Sequence, residues 1–405
     1  MSSAIAATTR LTYPAPDRAE EQIELSVVIP CKNEEETVGT CVERAMRALR
    51  EHGISGEVIV ADNGSTDDSA AIAESLGARV VRVETPGYGA ALMGGIEAAR
   101  GRYIIMGDAD ASYDFLEIPR FLAELRKGFE LVQGCRLESG GGRVMPGAMP
   151  FLHRWWGNPM FTKLARWWFR APVHDVYCGM RGFTKDLYRR LDQRCTGMEF
   201  ATEMIIKASL GGASIAEVPI TLHPDGRVTR RPHLRTFRDG WRTLRFFLLF
   251  SPRWLFLMPG LTLIASGIIG YVLALTNARI GPATLDVHTL LVASLAIICG
   301  QQSVGFALMT KLFAVGEGLL PRDRRVDRLL RIFNRERGLA AGVIAGLAGL
   351  TLISVAVARW VGVDFGPLDY RATMRWVIPG VTLAVLGVQT ALASFFFSIL
   401  LLRRR

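Results

Sequence analysis

Four long apolar runs, residues 254–275, 289–310, 339–358 and 376–402, constrain this 405-residue chain more than any other feature. Each has the roughly 20 residues that cross a hydrocarbon core at about 1.5 Å per residue, so each predicts a transmembrane helix. Residues 1–250 carry no such run and read as a water-facing α/β domain, although hydrophobic residues make up 50% of the whole.

The charge agrees with that division. A net charge of +10 would suit a nucleic-acid binder, but the arginines cluster beside apolar spans and no nucleic-acid module is present. The partner they point to is the anionic surface of a lipid bilayer. Residues 311–338 hold Lys311, Arg322, Arg324, Arg325, Arg328, Arg331, Arg335 and Arg337, and the chain closes on Arg403, Arg404 and Arg405. The positive-inside rule places these segments, and the Arg-rich run before the first span, in the cytoplasm. The first 24 residues lack the apolar core of a signal peptide, and the six cysteines show no Cys-x-x-Cys pair. An integral membrane protein with a cytoplasmic N-terminal domain and reduced thiols is the expectation.

Between the two halves, Arg231, Arg235, Arg238, Arg242 and Arg245 recur at steps of three and four beside Leu234, Phe237, Trp241, Leu244 and Leu248. Two such stripes on neighbouring faces predict an amphipathic helix in the headgroup layer. Val326, Leu329, Leu330 and Phe333 predict a second one within 311–338. Gln301 and Gln302, costly against lipid, are expected to face another helix or to line a lipid-phosphate path. The domain plan is a mobile tail at 1–22, a catalytic domain at 23–226, an interface helix at 227–252 and a transmembrane domain at 253–405.

Within the water-facing half, β-rich runs end at Pro30, Asp62, Val83 and Ile105, and helical stretches of ten or more residues alternate with them. That alternation predicts a doubly wound, mainly parallel sheet, whose ligand crevice opens at the carboxyl ends of the strands. The fourth run, Tyr103-Ile104-Ile105, leads into Met106-Gly107-Asp108-Ala109-Asp110-Ala111-Ser112. Two carboxylates one residue apart at such an edge suit Mg²⁺ or Mn²⁺, which take one or two protein carboxylates and complete the shell with water and phosphate. A turn-forming pair is the competing reading. Gly87-Tyr88-Gly89 marks a sharp turn or a close approach of backbone to ligand.

The ordered set Val27 to Glu35, Asp62-Asn63-Gly64-Ser65-Thr66-Asp67, Gly87-Tyr88-Gly89-Ala90-Ala91 and Asp108-Ala109-Asp110 resembles family 2 glycosyltransferases with the GT-A fold. Gly134-Cys135-Arg136, Trp156-Gly157-Asn158, the run from Asp175 to Phe183 and Glu199 to Met204 are similar to the dolichyl-phosphate mannose synthase and polyprenyl-phosphate glucosyltransferase branch.

The resemblance implies a GT-A, Rossmann-like catalytic domain moving a hexose, with inversion, from UDP-glucose or GDP-mannose to a polyprenyl or dolichyl monophosphate. It assigns Pro30, Asn33, Glu34, Asp62, Gly87, Gly89, Asp108 and Ala109 to the nucleotide sugar, and Asp108, Asp110 and Ser112 to the metal. Ser112 stands where relatives often carry Gln, and Asn63 where they often carry a second Asp. A lipid monophosphate is already anionic, so cations matter more than a base. Arg136, Arg154 and Arg181 are the candidates for its phosphate, against the plainer reading of arginines paired with nearby carboxylates. Asp175, Glu199 and Glu203 are candidate base or orienting residues. Asp108, Asp110, Arg136, Asp175 and Arg181 form the expected catalytic set. Two other functions stay open: a processive polysaccharide synthase, although no Gln-x-x-Arg-Trp segment is present, and a nucleotide-binding scaffold. A homo-oligomer formed through the membrane half has no motif behind it.

Overall fold

The computed structural model describes residues 23–227, 236–318, 320 and 335–401. The chain divides into two compact units, Met1–Arg166 with Arg170–Leu234, and Trp167–Phe169 with Arg235–Arg405. The tail at 1–22, Arg231, Leu234, Arg235, the 319–334 stretch of the basic loop apart from Leu320, and Arg403 to Arg405 lie outside the described residues, as do the side chains of Phe237 and Arg238.

The first unit is built on β1 (Leu25–Cys31), β2 (Gly56–Asp62), β3 (Arg79–Arg82), β4 (Tyr103–Met106), β5 (Leu131–Cys135), β6 (Arg143–Val144), β7 (Arg181–Thr184), β8 (Ile215–Pro219) and β9 (Thr221–Leu222). Seven of them form one sheet in the order β3-β2-β1-β4-β7-β5-β8, and β6 pairs with β9 apart from it. All pairs in the large sheet are parallel except those of β7, which runs against both β4 and β5. The sequence expectation of a mainly parallel α/β sheet is met; the reversed strand was not anticipated. Arg181-Gly182-Phe183-Thr184 opens on a charged residue and is only four residues long, so it carries no periodic signal.

Helices α1 (Val38–Glu51), α2 (Ser69–Ser75), α3 (Tyr88–Ala98), α4 (Ile118–Arg126), α5 (Asn158–Phe169), α6 (Lys185–Leu191) and α7 (Phe200–Leu210) alternate with the strands. Strands β1 and β4 are buried along their whole length, as strands covered on both faces must be. Helix α1 buries Val38, Cys41, Val42, Ala45, Ala48 and Leu49, one stripe of a 3.6-residue period. Helix α3 lies close on the sheet because Gly95 has no Cβ, which would come within 2.6 Å of Val28 Cγ1.

The second unit holds α8 (Thr236–Leu249), a wide π turn at Arg253–Leu257, and α9 (Met258–Leu275). A two-strand hairpin, β10 (Arg279–Ile280) with β11 (Ala283–Thr284), then leads to α10 (Val287–Gly316), α11 (Arg335–Val361) and α12 (Tyr370–Leu401). Four helices are long and apolar enough to cross a membrane, at 253–275, 287–316, 336–361 and 370–400. They overrun the expected spans because helices continue past the apolar stretch into residues such as Lys311 and Arg371. Gln301 donates to Leu386 O at 3.1 Å and Thr390 Oγ1 at 2.8 Å, and Gln389 donates to Gln302 at 2.8 Å, so both glutamines meet α12. Backbones of α11 and α12 approach closely at glycines: a Cβ on Gly349 would stand 2.5 Å from Gly380 O.

Candidate active site

The loops after β1, β2 and β4 meet at the carboxyl edge of the sheet, where a doubly wound fold binds its ligands. Asn33, in the left-handed region at φ +59°, receives the Thr66 N–H on its side-chain oxygen at 2.7 Å and gives its own N–H to Ser65 Oγ at 2.9 Å. The first two loops are thereby stitched into one wall. Asp62 accepts the Ser65 N–H at 3.1 Å and is 6% exposed.

Asn63 has a definite structural task. Its amide donates to Val83 O at 3.0 Å and Thr85 O at 2.7 Å, while its oxygen accepts the Gly87 N–H at 2.8 Å. A carboxylate could not make the two donations. At Gly87 and Gly89 a Cβ would fall 2.3 Å from the carbonyl of Thr196 or Cys195. The 195–197 loop packs into the space that the missing Cβ atoms leave. Tyr88, between them, donates its phenol to Asp108 Oδ1 at 2.8 Å.

Asp108 and Asp110 follow β4. Ser112 folds back on Asp110, donating N–H at 3.0 Å and Oγ–H at 2.6 Å to its Oδ1, with Ala111 between them at φ +59°. Pro30 lies buried within β1, and Ala109, between the two carboxylates in sequence, is part of the buried core. Burial, and then the charge of Asp110, push the Asp108 carboxyl up to about 6. A divalent cation relieves that kind of repulsion. Two carboxylates beside a hydroxyl are hard oxygen donors that fit Mg²⁺ or Mn²⁺ completed by water and phosphate. Among the described residues no group of three His, Cys, Asp or Glu forms a closed cage.

The segment 223–227 crosses this edge. His223 N–H bonds Ser112 O and Gly226 N–H bonds Asp110 O, both at 2.9 Å. Arg227 then grips Glu34 through Nε at 2.7 Å and through Nη2, and meets Asp225 at 2.8 Å. Burial works against the Arg227 charge, but Glu34 outweighs it and holds the guanidinium above its ordinary range. Glu34, expected at the nucleotide, is 8% exposed and already paired.

The three arginines expected at a lipid phosphate lie in different settings. Arg136 forms a two-bond fork with Asp175, at 2.7 and 2.9 Å, and gives Asp175 its backbone N–H at 3.1 Å. Asp175 is fully buried, and Tyr177 N–H binds it at 3.2 Å. Asp175 therefore orients Arg136. Arg181 is also fully buried; it donates to Ala201 O and to Cys178 O, and burial lowers its affinity for its proton. No edge of it faces outward, so a lipid phosphate does not reach it in this conformation. Arg154 is the more accessible one, bonded to exposed Glu138 at 2.6 Å.

Glu203, a candidate base, is 1% exposed. It accepts the Arg194 and Cys195 N–H groups at 3.1 and 2.9 Å and pairs with Lys207 at 2.7 Å, which ties down the loop packed on Gly87 and Gly89. Glu199 precedes α7 and gives its carbonyl to Glu203 N–H. Tyr88, Tyr113 and Arg227 escaped the sequence reading. Tyr113 accepts Gly179 N–H at 2.8 Å and has Arg136 Nη1 3.5 Å away. The only signal for Arg227 was the glycine before it, where a Cβ would press within 3.1 Å of Thr37.

A model of glycosyl transferase family 2 matches residues 26–192, and a model of the family 2 C-terminal transmembrane region matches 308–401. The chain is 37% identical over 377 residues to the low-salt glycan biosynthesis hexosyltransferase Agl6 of Haloferax volcanii, spanning 92% of this chain and 87% of that one. It is 33% identical to the dolichyl-phosphate hexose transferase of the same organism, over 49% of this chain and 82% of the relative. Glucosyl-3-phosphoglycerate synthase from Mycobacterium tuberculosis, solved with Mn²⁺ and UDP-glucose, aligns over 56% of this chain and 78% of its own, with 25% identity and a TM-score of 0.44. With a relative this similar along nearly its whole length, the chain is an integral membrane glycosyltransferase and belongs to glycosyltransferase family 2.

Proposed function

We propose that the chain transfers one hexose, with inversion, from a UDP-glucose or GDP-mannose type donor to a polyprenyl or dolichyl monophosphate at the cytoplasmic membrane face. The observation that carries this is the Asp108–Asp110 pair at the β4 edge of a domain whose candidate bases are already engaged. Asp175 is locked to Arg136 and Glu203 to backbone N–H groups and Lys207. An acceptor that arrives anionic needs no base, and a phosphate monoester is such an acceptor. The relatives, one of them a dolichyl-phosphate hexose transferase, agree with this class of acceptor.

In this reading the acceptor phosphate oxygen attacks the sugar C1 from the face opposite the leaving group. The C1–O bond to the nucleoside diphosphate breaks, and its electrons stay on the diphosphate. A divalent cation held by Asp108 and Asp110 would neutralise the charge of that leaving group. Asp62 and Asn33 shape the nucleotide wall, and Arg154 meets the acceptor. Arg136, fixed by Asp175, adds positive potential behind it.

The test is transfer of labelled sugar from a panel of nucleotide donors to polyprenyl phosphate, with and without Mg²⁺ or Mn²⁺, followed by lipid extraction. A single-sugar lipid from one donor, lost with chelator, is expected. Polymer or no lipid product from any donor overturns the acceptor.

A further inference from the structure

Tyr88 is the first residue of α3 and stands between two glycines that bring the chain hard against the 195–197 loop. The turn that carries it is anchored by backbone. Gly87, at φ +136°, gives its N–H to Asn63 Oδ1 at 2.8 Å, and Ala90 gives its N–H to Thr196 O at 3.0 Å. The loop itself is tied down by Glu203, which accepts the N–H groups of Arg194 and Cys195 at 3.1 and 2.9 Å. From this turn the Tyr88 hydroxyl reaches across 20 residues of sequence and donates to Asp108 Oδ1 at 2.8 Å.

The second oxygen of Asp108 is confined from another element. A Cβ on Gly179 would stand 2.7 Å from Asp108 Oδ2 and 3.1 Å from the Tyr113 hydroxyl, which accepts the Gly179 N–H at 2.8 Å. Asp110 is oriented differently, by the N–H and hydroxyl of Ser112 within its own loop. One carboxylate of the pair is therefore set by local sequence. The other depends on partners that the fold brings to it.

We propose that Tyr88 is a positioning residue for the divalent cation: its hydroxyl fixes the plane of the Asp108 carboxylate, and the 194–197 loop, held by Glu203, keeps Tyr88 in place. The inference rests on the reading of Asp108 and Asp110 as the metal pair. Hydrogen-bond partners behind a metal ligand orient it, and losing one typically weakens metal binding by about 10- to 100-fold. A phenylalanine at position 88 would fill the same space beside the two glycines, so what the hydroxyl adds is the bond to Asp108. Glu203, too buried to act as a base on a substrate, gains a task in the same chain of contacts.

The experiment compares the full-length parent, Tyr88→Phe and Asp110→Asn in detergent. Free Mn²⁺ is followed by its paramagnetic resonance signal in titrations with UDP and, separately, with GDP. Nucleotide binding in EDTA is measured by calorimetry, and thermal unfolding is followed in the same buffer. Tyr88→Phe is expected to weaken Mn²⁺ binding by about tenfold, while nucleotide affinity in EDTA and Tm stay at the parental values. Parental Mn²⁺ affinity in Tyr88→Phe overturns the proposal. So does a matching loss of nucleotide affinity in EDTA or a fall in Tm, either of which would make Tyr88 a prop for the fold of the whole edge. Mn²⁺ binding to Asp110→Asn as tight as to the parent would place the cation elsewhere; that outcome removes the metal pair itself and is separate from a failure at Tyr88 alone.

Discussion

The two units bury polar groups by opposite rules. Beside the sheet edge, full charges are buried in pairs: Arg136 with Asp175, Arg227 with Glu34, Lys207 with Glu203. Within the membrane helices, neutral side chains bond to helix carbonyls or to one another. Tyr271 bonds Ser294 at 2.7 Å and Thr382 at 3.0 Å, and Gln301 bonds Leu386 O. Ion pairs return at the helix ends, where Asp286 meets Arg371 and Arg375 at 2.9 and 3.0 Å. A site that handles anions needs charge within reach of its ligands and accepts the desolvation cost; a helix bundle in lipid needs only its amides and hydroxyls satisfied.

Removing one member of a buried pair tests that contrast most severely. Asp175→Ala leaves the Arg136 charge without its counterion and should lower the unfolding free energy by about 3–5 kcal/mol, read by denaturant unfolding of the full chain in detergent. Transfer activity should fall with it. A loss below about 1 kcal/mol would mean that water already reaches the pair.

Asp110→Asn should leave the protein folded but reduce transfer by roughly 10²–10³, the scale found when one group stabilising transition-state charge is removed. Near-parental activity would take Asp110 out of the site. The same variant offers a pH test without metal. The Asp108 carboxyl lies higher in the folded chain, about 6, than its ordinary 3.8. The stability it contributes is therefore complete below the unfolded value and is lost as pH rises through about 6. Asp110→Asn removes part of the repulsion, so metal-free protein should gain stability at pH 8, on the order of 1 kcal/mol after solvent screening, and match the parent near pH 4. Thermal unfolding at both pH values checks this.

The smallest effect belongs to the membrane unit. Gln301→Leu exchanges two helix-to-helix hydrogen bonds for an apolar contact and should cost about 0.6 kcal/mol, seen as a small fall in Tm in detergent. A loss as large as that of Asp175→Ala would erase the distinction between the units.

Local patterns were readable in the sequence because local physics makes them. Apolar length marks a span, and strand-loop-helix alternation marks the parallel sheet and puts Asp108 and Asp110 at its edge. Pairing across the chain is not written locally: Arg227 and Glu34 lie 193 residues apart and Arg136 and Asp175 lie 39 apart. Gly87 and Gly89 announce missing Cβ atoms without saying whether chain or ligand fills the gap. Arg181 looks like any exposed arginine until β7 folds it inside.

Arg227 also decides where the enzyme can be cut. Its charge neutralises Glu34, a carboxylate 8% exposed at the sheet edge, and the stretch of backbone ahead of it caps Ser112 and Asp110. A soluble fragment ending at 222 would discard both, whereas one ending beyond 227 keeps them. The shortest useful catalytic fragment is therefore set by an ion pair at the sheet edge and ends downstream of β9, the last strand of the first unit.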